Sequence, residues 1–359
     1  MKTLPVSYLE SRLFGQDTHF PLIGQLELTY RCQFDCRHCY CKGSADQKKE
    51  LDTSEWKEIL DKIKNAGCLW LGFTGGDPLV RPDFLEIYSY AKKKGFLVTI
   101  LTNGYGLTNA LLKHFAQSPP YSLEITLNGI TRKTFEAITQ KKGSWIRVKQ
   151  NIRELKARKI LLYIKSNCLT LNAHEVAKVK RWVDELLGGV KGQKYYFSYD
   201  YDIFPGLNRD PTPCEYRLSP QAVAKIAFQD PDLRKEYQDF LCGEFPVLVR
   251  PKKFLFHCSA WKNQFFIDPC GKLKFCQLTD KFSVDLKKVS FKKGFYEVFP
   301  RLLKEEFKTN SKCKTCSGRL ICNWCPAKAY LETGNEENPV PYYCAQTEYT
   351  LKQNKAIKK

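Results

Sequence analysis

Six short apolar runs recur between residues 24 and 200, each followed by an amphipathic stretch, and this alternation restricts the fold more than any other feature. The runs are GQLELTY, CLWLGF, FLVTILT, YSLEITL, ILLYIKSNC and KYYFSYD. Their length and their β-branched and aromatic content predict strands. The intervening stretches predict helices over Thr53 to Asn65, Asp83 to Lys94, Leu107 to Phe115, Arg132 to Gln140, Trp145 to Arg158 and Ala173 to Leu187. Thr53 or Ser54 is the expected N-cap of the first. The second follows Pro82 and stops at Gly95, as a helix should. Strands alternating with helices build a parallel sheet with right-handed crossovers, an α/β fold.

After Asp202 the pattern breaks. FPGLNRDPTPCEYRLSP is rich in proline and reads as an irregular linker. Residues 220 to 242 read as helical. QFFIDPCGKLKFCQL reads as a hairpin with its turn at Asp268-Pro269-Cys270-Gly271. The remainder is loop-rich, so metals are expected to staple it. The ending, LKQNKAIKK, reads as a frayed tail. The expected organisation is an N-terminal extension (1–21), a strand–helix domain (22–205), a linker with a helix (206–250) and a cysteine-rich domain (251–359).

Sixteen cysteines stand in 359 residues. The opening MKTLPVSYLESRLFGQ is interrupted by Glu10 and Arg12, so it does not read as a signal peptide. No apolar window reaches the 18 residues of a membrane span. A cytoplasmic location is the expectation, and there thiols stay reduced and serve metals more than disulfides. Cys68 and Cys168 sit in apolar runs and read as small buried hydrophobes. The formal net charge of +20 suits an acidic peptide, a small acidic electron carrier or nucleic acid.

Directly after the first strand, Cys32-x3-Cys36-x2-Cys39 places three thiolates on one short loop. They can hold three irons of a cubane and leave the fourth iron open to a ligand. The alternative is zinc, completed by His38 or Cys41. Further on, Phe73-Thr74-Gly75-Gly76-Asp77-Pro78 closes the second strand, and Thr102-Asn103-Gly104 the third. Leu127-Asn128-Gly129 closes the fourth, and Ser166 and Asn167 the fifth. All of them fall at carboxyl ends of strands, where α/β folds place ligands.

This set resembles the signature of the radical S-adenosylmethionine (SAM) superfamily. The resemblance covers roughly residues 22 to 202 and implies a partial (β/α)6 barrel. It implies a [4Fe–4S] cluster on Cys32, Cys36 and Cys39 whose open iron chelates SAM. Electron transfer then cleaves SAM to methionine and a 5′-deoxyadenosyl radical, which abstracts a substrate hydrogen. Gly75, Gly76 and Asp77 correspond to the family's Gly-Gly-Glu-Pro, and Asn128 stands where Asp is usual. His38 takes the place of an aromatic residue and Tyr40 follows the last cysteine. With Thr102, Asn103, Ser166 and Asn167 these are the implied SAM-side residues.

The later cysteines resemble the SPASM extension of that family, which carries up to two auxiliary [4Fe–4S] clusters. By resemblance Cys313, Cys316, Cys322 and Cys344 hold one cluster. Cys258, Cys276 and Cys325 hold the other, with Cys270 or Cys242 as candidate fourth ligand or with an open iron. The last short gap is two residues where the family's pattern has three. A zinc site on Cys313, Cys316, Cys322 and Cys325 is the alternative.

Tyr199, Asp200 and Asp202, at or past the last strand end and so expected to face the cavity, are the candidate acid–base or hydrogen-donor residues. Trp145 reads as a packing residue. The resemblance implies modification of a ribosomally made peptide or protein by crosslinking, epimerisation or oxidation. Implied partners are that peptide and a flavodoxin- or ferredoxin-like electron donor. With about twenty residues before the first strand, a leader peptide falls to the barrel or to a separate leader-binding protein. The competing expectations are cofactor maturation, such as trimming a tetrapyrrole, and a zinc-stapled nucleic-acid-binding protein.

Overall fold

The computed structural model describes residues 19–43, 49–188, 196–229, 234–235, 253–258 and 260–357. The six expected strands all form: β1 Ile23–Thr29, β2 Trp70–Gly75, β3 Leu97–Thr102, β4 Ser122–Thr126, β5 Leu162–Asn167 and β6 Phe197–Asp200. Every neighbouring pair among them is parallel and in chain order. The crossovers are α1 Thr53–Asn65, α2 Phe84–Lys93, α3 Asn109–Gln117, the pair α4 Arg132–Thr139 and α5 Ser144–Ala157, and α6 Val176–Leu187.

The period of two divides each strand between two environments. Leu26, Leu28, Phe73, Val98, Ile100, Leu123, Ile125 and Ile164 are buried against the helices in one continuous core. Gln25, Gly72, Thr99, Leu101, Glu124 and Lys165 alternate with them and line a single cavity of about 230 Å³. One cavity fed by β1 to β5 means the sheet curls around a lumen, which is the partial barrel. Glu124 and Lys165 pair across it.

The cap of α1 corrects the sequence reading. Asp52, not Thr53 or Ser54, is the N-cap. Its Oδ1 accepts the Glu55 N–H at 2.9 Å and Glu55 Oε2 accepts the Asp52 N–H at 2.9 Å, a complete capping box. Cys68 and Cys168 are buried among apolar side chains, as expected.

The expected hairpin forms as β7 Gln264–Ile267 and β8 Lys272–Lys274. Asp268 Oδ1 accepts the N–H groups of Cys270 and Lys272, each at 2.9 Å, and Gly271 takes a φ of +88°. The hairpin does not stand alone. β7 pairs parallel to β1 and β9 Val284–Asp285 pairs with β8, so one sheet runs β6-β5-β4-β3-β2-β1-β7-β8-β9. The cysteine-rich chain is thereby anchored beside the Cys32 loop.

Of the helix expected over 220 to 242, α7 Pro220–Gln229 is described. Cys242 lies outside the described residues. Several short helical turns follow the hairpin, and after them two longer helices, α8 Pro326–Thr333 and α9 Pro341–Ile357. The second overturns the frayed tail, because it stays helical through Ile357. Its buried Tyr343, Thr347 and Thr350 pack one side of it and hold the turns in place. No described helix is long and apolar enough to cross a membrane.

Candidate iron–sulfur and SAM site

The site begins where β1 ends. The loop 32–39 is held against the end of α4 by main-chain bonds, Asp35 N to Thr139 O at 3.2 Å and Arg37 N to Ile138 O at 3.1 Å. Cys32, Cys36 and Cys39 lie close enough to perturb one another electrostatically. Burial pushes Cys32 up to about 11 and Cys36 well above the ordinary thiol value. Cys39 is drawn down to about 7 by a bond to Cys41, whose Sγ is 3.5 Å away and buried. Sequence offers Cys41 only as a ligand in the zinc alternative; the structure gives it this contact.

The Gly-Gly-Asp segment lies against the same loop. Gly76 N donates to Thr29 O at 2.7 Å and Asp77 N to Arg31 O at 2.9 Å. A Cβ on Gly75, whose φ is +128°, would sit 2.1 Å from Thr29 O. A Cβ on Gly76 would sit 2.4 Å from Arg31 O and 2.5 Å from Tyr30 O. Main chain meets main chain here, so nothing flexible can yield. Gly76→Ala is therefore expected to cost roughly 2–4 kcal/mol and to weaken SAM binding. Thermal unfolding and SAM titration check this, and a variant as stable as the parent would contradict it.

Asp77 is fully buried. It accepts from Leu79 N at 2.9 Å, Thr102 Oγ1 at 2.7 Å and Asn103 N at 2.8 Å. Asp77 and Thr102 thus brace the ends of β2 and β3 to each other. Asn103 Nδ2 reaches Cys32 Sγ at 3.4 Å and Gln33 Oε1 at 2.9 Å.

His38 joins the ends of β4 and β5. Its Nε2 is 3.3 Å from Asn128 Nδ2 and 2.9 Å from Asn167 Nδ2. Both neighbours are amide donors, so Nε2 accepts and the proton sits on Nδ1. Burial lowers the ring to about 4, so it stays neutral. Its Nδ1 and the Ser166 Oγ are buried with no hydrogen-bond partner among the described residues. Ser166 lies on the face of β5 that carries Ile164 toward the helices, whereas the orphaned His38 nitrogen stands in the loop between Cys36 and Cys39 and fits a bound cofactor.

The later cysteines gather into two sets. Cys316, Cys322 and Cys344 stand close enough to Cys313 to act on it electrostatically, and Cys258 and Cys325 stand that close to Cys276. Cys325 keeps to the second set, so the four thiols of the zinc alternative are divided. Among the described residues no three His, Cys, Asp or Glu side chains are arranged to hold one metal ion. A tetrahedral zinc site needs thiolates about 3.8 Å apart, whereas the corners of a cubane stand wider. Burial pushes Cys276 up to about 12 and Cys313 to about 11, so cluster assembly must release protons. Cys270 lies in the hairpin turn and faces a cavity shared with Tyr30 and Lys274.

The three candidate acid–base residues diverge. Tyr199 packs beside Phe197 against the cluster of Cys168, Val176, Leu218 and Val223, on the helix side of the sheet. The expectation that it faces the cavity is corrected, because it shares its face with Ser166 rather than Asn167. Asp200 sits opposite Asn167 at the lumen end, and burial raises its pKa. Asp202 is ion-paired with Lys328 and accepts from Tyr343 OH at 3.0 Å. Lys328 N also lies 3.5 Å from Cys325 Sγ. Trp145 packs, with Nε1 donating to Ile130 O at 2.9 Å.

Glu27 was not singled out by sequence, although it is the one acid inside GQLELTY. It is fully buried and faces the hydroxyls of Tyr30 at 3.3 Å and Tyr40 at 3.4 Å. Burial raises it to about 7, tempered by Lys274 and reinforced by Asp268. The fold therefore holds a proton that the unfolded chain has already lost. Stability falls as pH rises from about 4.5 through about 7, and the ionised carboxylate then costs about 3 kcal/mol. Glu27→Gln is expected to gain up to about 3 kcal/mol over the parent near pH 8, shrinking toward zero near pH 5. Urea unfolding at the two pH values checks it; an equal gain at both would contradict the shift.

Residues 26–183 match the model of the radical SAM superfamily. The chain carries a radical SAM domain. It is an enzyme, and its family uses SAM and a [4Fe–4S] cluster. It is 24% identical to an AdoMet-dependent heme synthase of Methanosarcina barkeri, over 90% of this chain and 97% of that protein. It is 26% identical to the antilisterial bacteriocin subtilosin biosynthesis protein AlbA of Bacillus subtilis, over 73% of this chain. The match spans 56% of AlbA. The fold is shared with Streptococcus suis SuiB bound to S-adenosylmethionine, at a TM-score of 0.67, 15% identity and coverage of 96% and 83%. It is shared equally with native anSMEcpe with bound AdoMet, at 0.65, 18%, 94% and 98%. The radical SAM reading of residues 26–183 stands, and the zinc-stapled nucleic-acid-binding alternative is set aside.

Proposed function

We propose that this radical SAM enzyme abstracts hydrogen from a ribosomally made peptide or protein. The observation that carries this is the separation of seven C-terminal thiols into a set of four and a set of three. Cys32, Cys36 and Cys39 hold the SAM-cleaving cluster, and the two later sets hold auxiliary clusters. When bound, the first cluster supplies the electron that cleaves SAM. Gly75 and Gly76 offer close main chain to SAM, while His38, Asn103, Asn128 and Asn167 surround it and Tyr40 borders it. Asp77 and Thr102 keep that wall rigid. Asp200, at the lumen end, is the acid–base candidate; Asp202 positions the auxiliary-cluster segment through Lys328. The likeness to AlbA, a bacteriocin biosynthesis protein, supports a peptide substrate. The division proposed is a barrel over 22–205 and an auxiliary-cluster region over 251–359, joined by 206–250, in the cytoplasm.

The match to a heme synthase along nearly its whole length favours a second reading, tetrapyrrole side-chain oxidation. One experiment separates them. The reconstituted enzyme, reductant and SAM are incubated with peptides encoded beside it or with an iron porphyrin bearing propionates. Loss of hydrogen from a peptide supports the first reading. Loss of carbon dioxide from the porphyrin with peptides unchanged overturns it.

A further inference from the structure

The charged surface around the cluster loop has no role in the chemistry above. Tyr105 follows β3 and stacks near Phe34, with ring centres 5.4 Å apart. Phe34 is buried between Cys32 and Cys36 in sequence, and its N–H reaches Cys32 Sγ at 3.4 Å. Near the Tyr105 ring stand the Arg147 guanidinium at 4.4 Å and the Lys141 ammonium at 5.9 Å from the ring centre. Both cations are exposed, and neither has an acidic partner among the described residues.

The surface continues along the loop. Arg31, Arg37 and Lys42 are exposed beside it. Gln140 Nε2 reaches Asp35 O at 2.5 Å, which joins the loop to the turn that carries Lys141. Asp35 is the exposed acid there and is already paired with Lys42 at 2.6 Å. A basic, aromatic-centred face therefore lies directly outside the loop that holds the first cluster.

We propose that this face, centred on Tyr105 with Lys141 and Arg147, docks a small acidic one-electron carrier. This rests on the radical SAM reading of Cys32, Cys36 and Cys39. A carrier needs what the face offers: opposite charge for steering and an approach to the cysteine loop past Tyr105 and Phe34.

The test uses the reconstituted full chain and follows bleaching of the cluster in stopped flow. Three reductants are compared: reduced flavodoxin, dithionite and reduced methyl viologen. The last two are small and of opposite charge. For Lys141→Glu/Arg147→Glu the flavodoxin rate is expected to fall tenfold or more, within the range electrostatic steering gives. The rates with both small reductants stay within about twofold of the parent. In the parent, about 0.5 M salt reproduces the flavodoxin loss, and Lys141→Arg/Arg147→Lys keeps the parent rate. An unchanged flavodoxin rate overturns the proposal, and so does an equal loss with all three reductants. Loss of RNA binding with flavodoxin reduction intact assigns the face to nucleic acid and overturns it too. A chain that no small reductant bleaches has no such cluster, and the radical SAM reading of the loop then fails with it.

Discussion

Replacing Cys32, Cys36 and Cys39 together by alanine is expected to lower the iron of anaerobically reconstituted protein from about twelve to about eight per chain, with sulfide falling in step. The expectation follows from three thiol sets that do not mix. Cys32 and Cys39 stand near Cys36, Cys316, Cys322 and Cys344 near Cys313, and Cys258 and Cys325 near Cys276. Removing one set leaves the other two on separate elements: the hairpin and the start of α8 for the set of three, the segment before α8 and the start of α9 for the set of four. A parent with about eight irons falling to about four would place the gap at Cys258, Cys276 and Cys325, the set with three evident thiols. Zinc in place of iron, unchanged in the variant, would contradict the assignment.

Lys328→Met is expected to destabilise the chain by about 3–5 kcal/mol. Lys328 and Asp202 have side chains only 15% and 17% exposed, so water repays little of a lost partner. Removing the ammonium leaves Asp202 with the Tyr343 hydroxyl at 3.0 Å and a charge in a poor dielectric. Burial works against the Lys328 ammonium, but Asp202 and Cys325 hold its pKa above the ordinary lysine value. Lys328→Met/Asp202→Leu is expected to recover to within about 1–2 kcal/mol of the parent, because two apolar groups leave no charge unpaired. Chemical denaturation of the four proteins of this cycle measures the coupling. Additive losses would mean that the pair contributes nothing.

The same residues show what sequence could reach. The short apolar runs locate all six barrel strands, because strands that pack against helices need such runs. The cysteine triplet and the Gly-Gly-Asp segment are equally legible, since their roles follow from local spacing. Long-range pairing is not. Nothing in QFFI says that it will lie beside Ile23–Leu26, yet that pairing sets the auxiliary thiols next to the loop. Glu27 and Lys328 escape for a related reason. Each is an ordinary charged residue in its own segment, and only tertiary contact buries it. Glu27 did leave one signal, as the only charged residue of β1 and at a lumen-facing position. Tyr199 fails the other way: its place at a strand end suggests the lumen, and the parity of β6 turns it to the helices.

The most direct test of the account is SAM turnover by the reconstituted enzyme under dithionite, with no substrate added. The account predicts 5′-deoxyadenosine and methionine in equal amounts, both absent from the Cys32, Cys36 and Cys39 triple variant. SAM that remains intact beside a reduced cluster, or products that persist in the triple variant, would contradict it.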